Sequence, residues 1–134
     1  MTVATRALLD TSVVIALARG EALELPDSVR EATISVVTLC GLHRGVLSAP
    51  ANRRAARLAV LTYAERTFQA LPVDERVAPH YGGISEEATR TGRDVRRHLA
   101  DLLIAATAAA HGLPLLVTRD RQLAATPGVT TVLV

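Results

Sequence analysis

The run Ala7-Leu8-Leu9-Asp10-Thr11-Ser12-Val13-Val14-Ile15-Ala16-Leu17-Ala18 decides how the chain folds. Its first three residues form a short apolar stretch that stops at a carboxylate. Asp-Thr-Ser then supplies side chains that cap a helix over Val13–Ala18, and Gly20 stops that helix. The reading is strand, tight turn, helix. The same unit recurs downstream. Glu31–Ile34 reads as a second strand, with Ser35 as the N-cap of a helix running to about Leu47 and ending before Pro50. Asn52–Phe68 has apolar residues near helical spacing, among them Ala55, Leu58, Leu61 and Ala64, with arginines between them.

A short strand is expected at Gln69–Leu71. Asp74–Thr91 is helical in tendency but should be broken or weakened near Gly82 and Gly83. Ala100–His111 is an Ala-rich helix closed by Gly112, followed by a strand at Leu115–Val117 and a final edge strand at Thr130–Val134. Strands separated by helices imply an α/β fold, a three-layer α/β/α sandwich around a parallel sheet. With 134 residues and no repeat or low-complexity tract, residues 1–134 form one domain. Of the apolar side chains, Val13, Val14, Leu17, Leu39, Leu42, Val46, Leu58 and Leu61 are read mostly as core.

Composition removes several function classes. Aromatic residues are 2% of the chain and Trp is absent, which nearly excludes recognition by rows of stacked aromatics. All 15 Lys+Arg residues are arginine. A Walker-type phosphate loop, a Schiff base and a receiver domain with its essential Lys are therefore excluded. Arginine suits bidentate contact with phosphate or carboxylate, although a net charge of +2 makes this a slight bias. A single cysteine, Cys40, permits no internal disulfide, and no Cys/His cluster has zinc spacing. No apolar stretch reaches the roughly 20 residues of a membrane span, so a soluble, cytoplasmic protein is expected.

In parallel sheets of this kind, ligands sit beyond the carboxyl ends of the strands where strand order reverses. Asp10 falls there directly, and Asp120 follows the strand Leu115–Val117. Asp101 lies in the first turn of an apolar helix, from which it can point into the same crevice. Three converging carboxylates repel one another unless a cation neutralises them. Oxygen ligands without His or Cys select Mg²⁺ or Mn²⁺, whose chemistry is assisted phosphodiester hydrolysis. Taken singly, Asp10 also reads as a helix cap, Asp101 as a dipole partner and Asp120 as a loop residue.

Four segments together carry more. Leu8-Leu-Asp10-Thr-Ser-Val-Val, Ile34-Ser-Val-Val-Thr-Leu-Cys-Gly-Leu-His-Arg-Gly45, Asp101-Leu-Leu-Ile-Ala-Ala-Thr-Ala and His111-Gly-Leu-Pro-Leu-Leu-Val-Thr-Arg-Asp120 resemble the PIN-domain family, most nearly its VapC-type toxins. The resemblance spans nearly the whole chain, with the motifs in order. It implies a Mg²⁺- or Mn²⁺-dependent endoribonuclease of a toxin–antitoxin pair, a VapB-type antitoxin as partner, and homodimerisation. Carried over by position, the catalytic and metal-binding acids are Asp10, Asp101 and Asp120, with Thr11, Ser12 and Thr118 as hydroxyl support.

The family's second acid is absent, because Gly41 stands where the pattern has Glu. Glycine inside a helix costs about 1 kcal/mol relative to alanine. Either close helix packing requires it, or a ligand has been lost, by natural divergence or by a change that made a toxic nuclease tolerable. Three carboxylates hold a metal less well than four, so weak or absent activity is expected. The alternative function is a catalytically silent PIN-like module that binds RNA or an antitoxin without cutting. A phosphatase of the haloacid dehalogenase type is disfavoured, since it wants Asp at position 12, where Ser stands.

Arg90, Arg93, Arg96 and Arg97 form a basic stretch ahead of Asp101. Arg93, Arg96 and Arg97, with His98 and Arg119, are the candidate RNA contacts, against the reading of a merely solvated segment. Arg53, Arg54 and Arg57 read as a solvated helix face or as contacts to an acidic antitoxin segment.

Overall fold

The computed structural model describes residues 5–117, 126 and 128–134. Five strands form one parallel sheet: β1 (Thr5–Leu9), β2 (Val29–Ser35), β3 (Gln69–Leu71), β4 (Leu115–Val117) and β5 (Thr131–Leu133). Their spatial order is β3-β2-β1-β4-β5. The helices are α1 (Thr11–Ala18), α2 (Val36–Leu47), α3 (Ala51–Thr67), α4 (Val77–Arg90) and α5 (Leu99–Ala110).

Alternation along β1 and β4 separates the two faces of the sheet. Ala7, Leu9 and Leu116 pack with Val13 and Val14 of α1, Leu42 of α2, and Val60, Leu61 and Ala64 of α3. Leu8, Leu115 and Val117 face the other way, onto Val77, Ile84 and Ala88 of α4 and Leu102, Ala105 and Ala108 of α5. The result is an α/β/α sandwich. Its central strands are buried on both sides, which explains why β1 and β4 read as continuous apolar runs. Each fully buried Leu or Val contributes about 1.5–3 kcal/mol of apolar burial.

Local chemistry sets the boundaries. Ser35 caps α2 by accepting the Val37 N–H on its hydroxyl at 3.1 Å, as the sequence suggests. Gly20 and Gly112 take φ of +75° and +64° after α1 and α5, a left-handed conformation that is open to glycine without a Cβ penalty.

Two expectations need correction. Helix α4 runs unbroken through Gly82 and Gly83. Both glycines lie on its exposed side, with no heavy atom within 4 Å of where a Cβ would stand, while Val77, Ile84 and Ala88 bury the opposite side against α5. Tertiary packing therefore overrides a local cost of about 1 kcal/mol per glycine. In α3, Leu58 is 49% exposed and is not core; Val60, Leu61 and Ala64 make the contact instead. Leu17, Leu39 and Val46 are only partly buried.

Candidate functional site

The strand order places the chain reversal at β1, which has β2 on one side and β4 on the other. The crevice beyond the carboxyl ends of β1 and β4 is the place such a sheet offers a ligand. Asp10 sits at that edge, and its backbone N–H donates to the Leu116 carbonyl at 2.9 Å, tying it to the end of β4. As the N-cap of α1 it accepts from Ser12 Oγ at 2.6 Å and from the Ser12 backbone N–H at 3.4 Å, both on Oδ2. The capping role read from the sequence is thus real, but it occupies only one carboxylate oxygen.

The other oxygen, Oδ1, is buried without a hydrogen-bond partner. Asp10 as a whole is 6% exposed. Burial pushes its carboxyl above the usual aspartate range, the Ser12 hydroxyl opposes this, and the charge of Asp101 adds to the upward push. Asp101, in the first turn of α5, is the acid whose charge acts on Asp10. A buried anionic oxygen with no donor is costly unless a cation satisfies it. The oxygen-only donor set and the orphaned Oδ1 both fit a hard divalent ion.

His98 directly precedes α5, and its Nδ1 lies 3.7 Å from Asp101 Oδ2. Arg93 is half-buried, and its Nη1 donates to Thr126 Oγ1 at 3.3 Å. Asp94 Oδ1 accepts the backbone N–H groups of Arg96 and Arg97 at 3.1 and 3.3 Å, and both side chains are exposed close to α5. Thr118, Arg119 and Asp120 lie outside the described residues. Among the described residues, no group of three or more His, Cys, Asp or Glu side chains is placed to hold a metal ion.

Two hydroxyl pairs that sequence reasoning missed fasten the site's helices. Thr11 Oγ1 and Thr38 Oγ1 are 3.0 Å apart, joining α1 to α2. Ser35 Oγ and Thr107 Oγ1 are 3.2 Å apart in the interior, and Thr107 also donates to the Leu103 carbonyl at 2.8 Å. The available signal was position: Thr38 is one helical turn before Gly41, and Thr107 is the polar member of an otherwise apolar stretch of α5.

Gly41 is exposed, and no heavy atom lies within 4 Å of where its Cβ would stand. Close helix packing is therefore not what the glycine serves. It lines an open groove of about 350 Å³ together with Thr11, Ile15, Leu42, Val60 and two arginines, Arg19 and Arg57. Position 41 thus lines the same groove as Thr11, the residue that follows Asp10, and a Cβ there would stand in open space.

The chain matches the PIN domain over residues 7–129 and belongs to that family. Its relatives are more specific. Ribonuclease VapC5 of Mycobacterium tuberculosis is 40% identical over 129 residues, covering 93% of this chain and 90% of the relative. Ribonuclease VapC4 of the same organism is 39% identical over 131 residues, 95% of each. Among solved structures, VapBC-5 of M. tuberculosis, a member of the VapBC toxin–antitoxin family, superposes with a TM-score of 0.74 and 31% identity over 97% of this chain and 98% of that one. DNA-bound VapBC of Salmonella typhimurium superposes with a TM-score of 0.76 and 25% identity, over 96% and 98%. Among the described residues, no helix is long and apolar enough to cross a membrane.

Proposed function

We propose that this chain is the toxin component of a type II toxin–antitoxin system, built on a metal-dependent endoribonuclease site and impaired by Gly41. The observation that carries this reading is the buried, partnerless Oδ1 of Asp10 at the β1–β4 edge, under the field of Asp101. The relatives named ribonucleases support RNA as substrate, and the VapBC structures support a VapB-type antitoxin as partner. Homodimerisation belongs to the same proposal.

Asp10 and Asp101, with Asp120 as the third carboxylate of the family pattern, would hold Mg²⁺ or Mn²⁺, which would polarise the phosphate and activate a water there. The chain's own residues supply the rest. Ser12 fixes the Asp10 carboxylate through Oδ2 and leaves Oδ1 for the ion. The Thr11–Thr38 pair holds the start of α1 against α2. Arg96 and Arg97 present exposed positive charge near Asp101, where phosphates of an RNA strand would lie.

Calorimetry with Mn²⁺ tests the metal reading: binding is expected for the chain and should vanish in the Asp10→Asn, Asp101→Asn double variant. Unchanged affinity in the double variant would contradict it. Gly41 favours a second reading, a PIN module that binds RNA or antitoxin without cleavage. Metal-dependent cleavage of RNA by the unmodified chain rules that reading out.

A further inference from the structure

We infer that the groove over Gly41 is a binding niche for a carboxylate carried on a short aliphatic stem, supplied from outside the chain. Three features of the groove converge on this ligand. First, there is room: no heavy atom lies within 4 Å of where a Cβ at position 41 would stand, and the groove measures about 350 Å³. Second, among the described residues its walls carry positive charge without a lining acid. Arg19 and Arg57 both line it, and the described lining residues include neither Asp nor Glu.

Arg57 is pre-set for the task. Its stem passes over Gly45, with Cδ 4.0 Å from where a Cβ would stand, and Nη1 donates to the Gly45 carbonyl at 2.9 Å. That bond uses one of the five N–H donors of a guanidinium and fixes the orientation of the fork, so less rotamer freedom is lost when an anion binds. Third, Ile15, Leu42 and Val60 make the remaining wall apolar. An apolar wall lowers the local dielectric, which strengthens a charge-assisted hydrogen bond, and it gives a methyl or ethyl group a surface to cover. A bare inorganic anion would leave that surface wet.

The niche lies where the family pattern has a Glu side chain, so a bound carboxylate would stand in for the missing acid beside Thr11. In this respect the inference rests on the proposed loss of an acid at position 41. It does not require a bound metal.

Titration of the ¹⁵N-labelled, metal-free chain with propionate, followed at the amide resonances of Gly41 and Gly45, tests it. Saturating shifts are expected with a dissociation constant on the order of 10 mM. Propionamide, the neutral isostere, and sodium chloride at equal ionic strength should leave these resonances in place. Gly41→Glu, which fills the niche with its own carboxylate, should abolish the response. Arg57→Gln should weaken it about tenfold, and Arg19→Gln provides a second variant that leaves the Gly45 bond intact. Equal shifts with propionamide, or an undiminished response in Gly41→Glu, would overturn the inference. Failure of the functional reading looks different: there, Mn²⁺ fails to bind while the propionate response persists, and that response should also survive in Asp10→Asn.

Discussion

At the scale of single residues, Asp10 and Gly41 carry the account. Asp10 spends one oxygen on Ser12 and keeps the other buried and partnerless. Its raised pKa has a defined consequence for stability. Between the ordinary aspartate value and the raised native value, the native protein holds a proton that the unfolded chain has released. Stability from this group therefore falls as pH rises through that window and stays reduced above it. In metal-free buffer at pH 7, Asp10→Asn is accordingly expected to melt at a higher temperature than the parent, and a lower melting temperature would show the carboxylate to be structurally required. Gly41 is opposite in kind, a position where nothing is buried. Because the Cβ has open space, Gly41→Glu should stabilise α2 by roughly 0.5 kcal/mol through helix propensity alone, measurable by urea denaturation. Both residues stand out in the sequence, whereas the reason for glycine at position 41 does not. Helical periodicity gives a residue's face and not the distance to what stands opposite, so only the structure distinguishes open space from close packing.

Among the elements, α4 shows where local propensity loses to packing. Gly82 and Gly83 suggest a break, yet the apolar series Val77, Ile84 and Ala88 holds the helix on α5. Since neither glycine meets a neighbour, Gly82→Ala and Gly83→Ala should each stabilise the protein by about 0.5–1 kcal/mol, read from denaturant midpoints. The helices around the site are fastened differently, by hydroxyl pairs. Thr38→Val leaves the Thr11 hydroxyl without its partner in a mostly buried place and is expected to cost about 1–2 kcal/mol, with Thr38→Ser recovering most of the loss. These pairs were not legible beforehand. Thr and Ser read locally as caps or helix residues, and which hydroxyls meet depends on how α1, α2 and α5 are brought together by the sheet. The caps themselves were legible, because Asp10 and Ser35 act on the backbone two residues ahead.

For the whole molecule, alternation along β1 and β4 dictates both cores, and the parallel order β3-β2-β1-β4-β5 places the carboxyl end of β1 at the crevice. The parallel sheet with helices on both faces followed from five short strands and the helices between them, whereas the order of the strands comes from the structure alone. The bracing of Arg93 by Thr126 was not foreseeable, as the two residues are joined only by the fold. A metal bound to the native state alone should stabilise the entire domain, by about 2.7 kcal/mol at a concentration one hundred times its dissociation constant. Mn²⁺ should thus raise the melting temperature of the parent by several degrees and leave the Asp10→Asn, Asp101→Asn variant unmoved. The central claim is that an RNA-cleaving metal site survives here in a form weakened by one absent carboxylate. Its most direct test is cleavage of RNA in Mg²⁺ by the parent chain and by Gly41→Glu, side by side. The account predicts at least about a tenfold higher rate for Gly41→Glu, equivalent to about 1.4 kcal/mol of transition-state stabilisation, and abolition of that activity by chelator. Equal, metal-dependent cleavage by both proteins would contradict it.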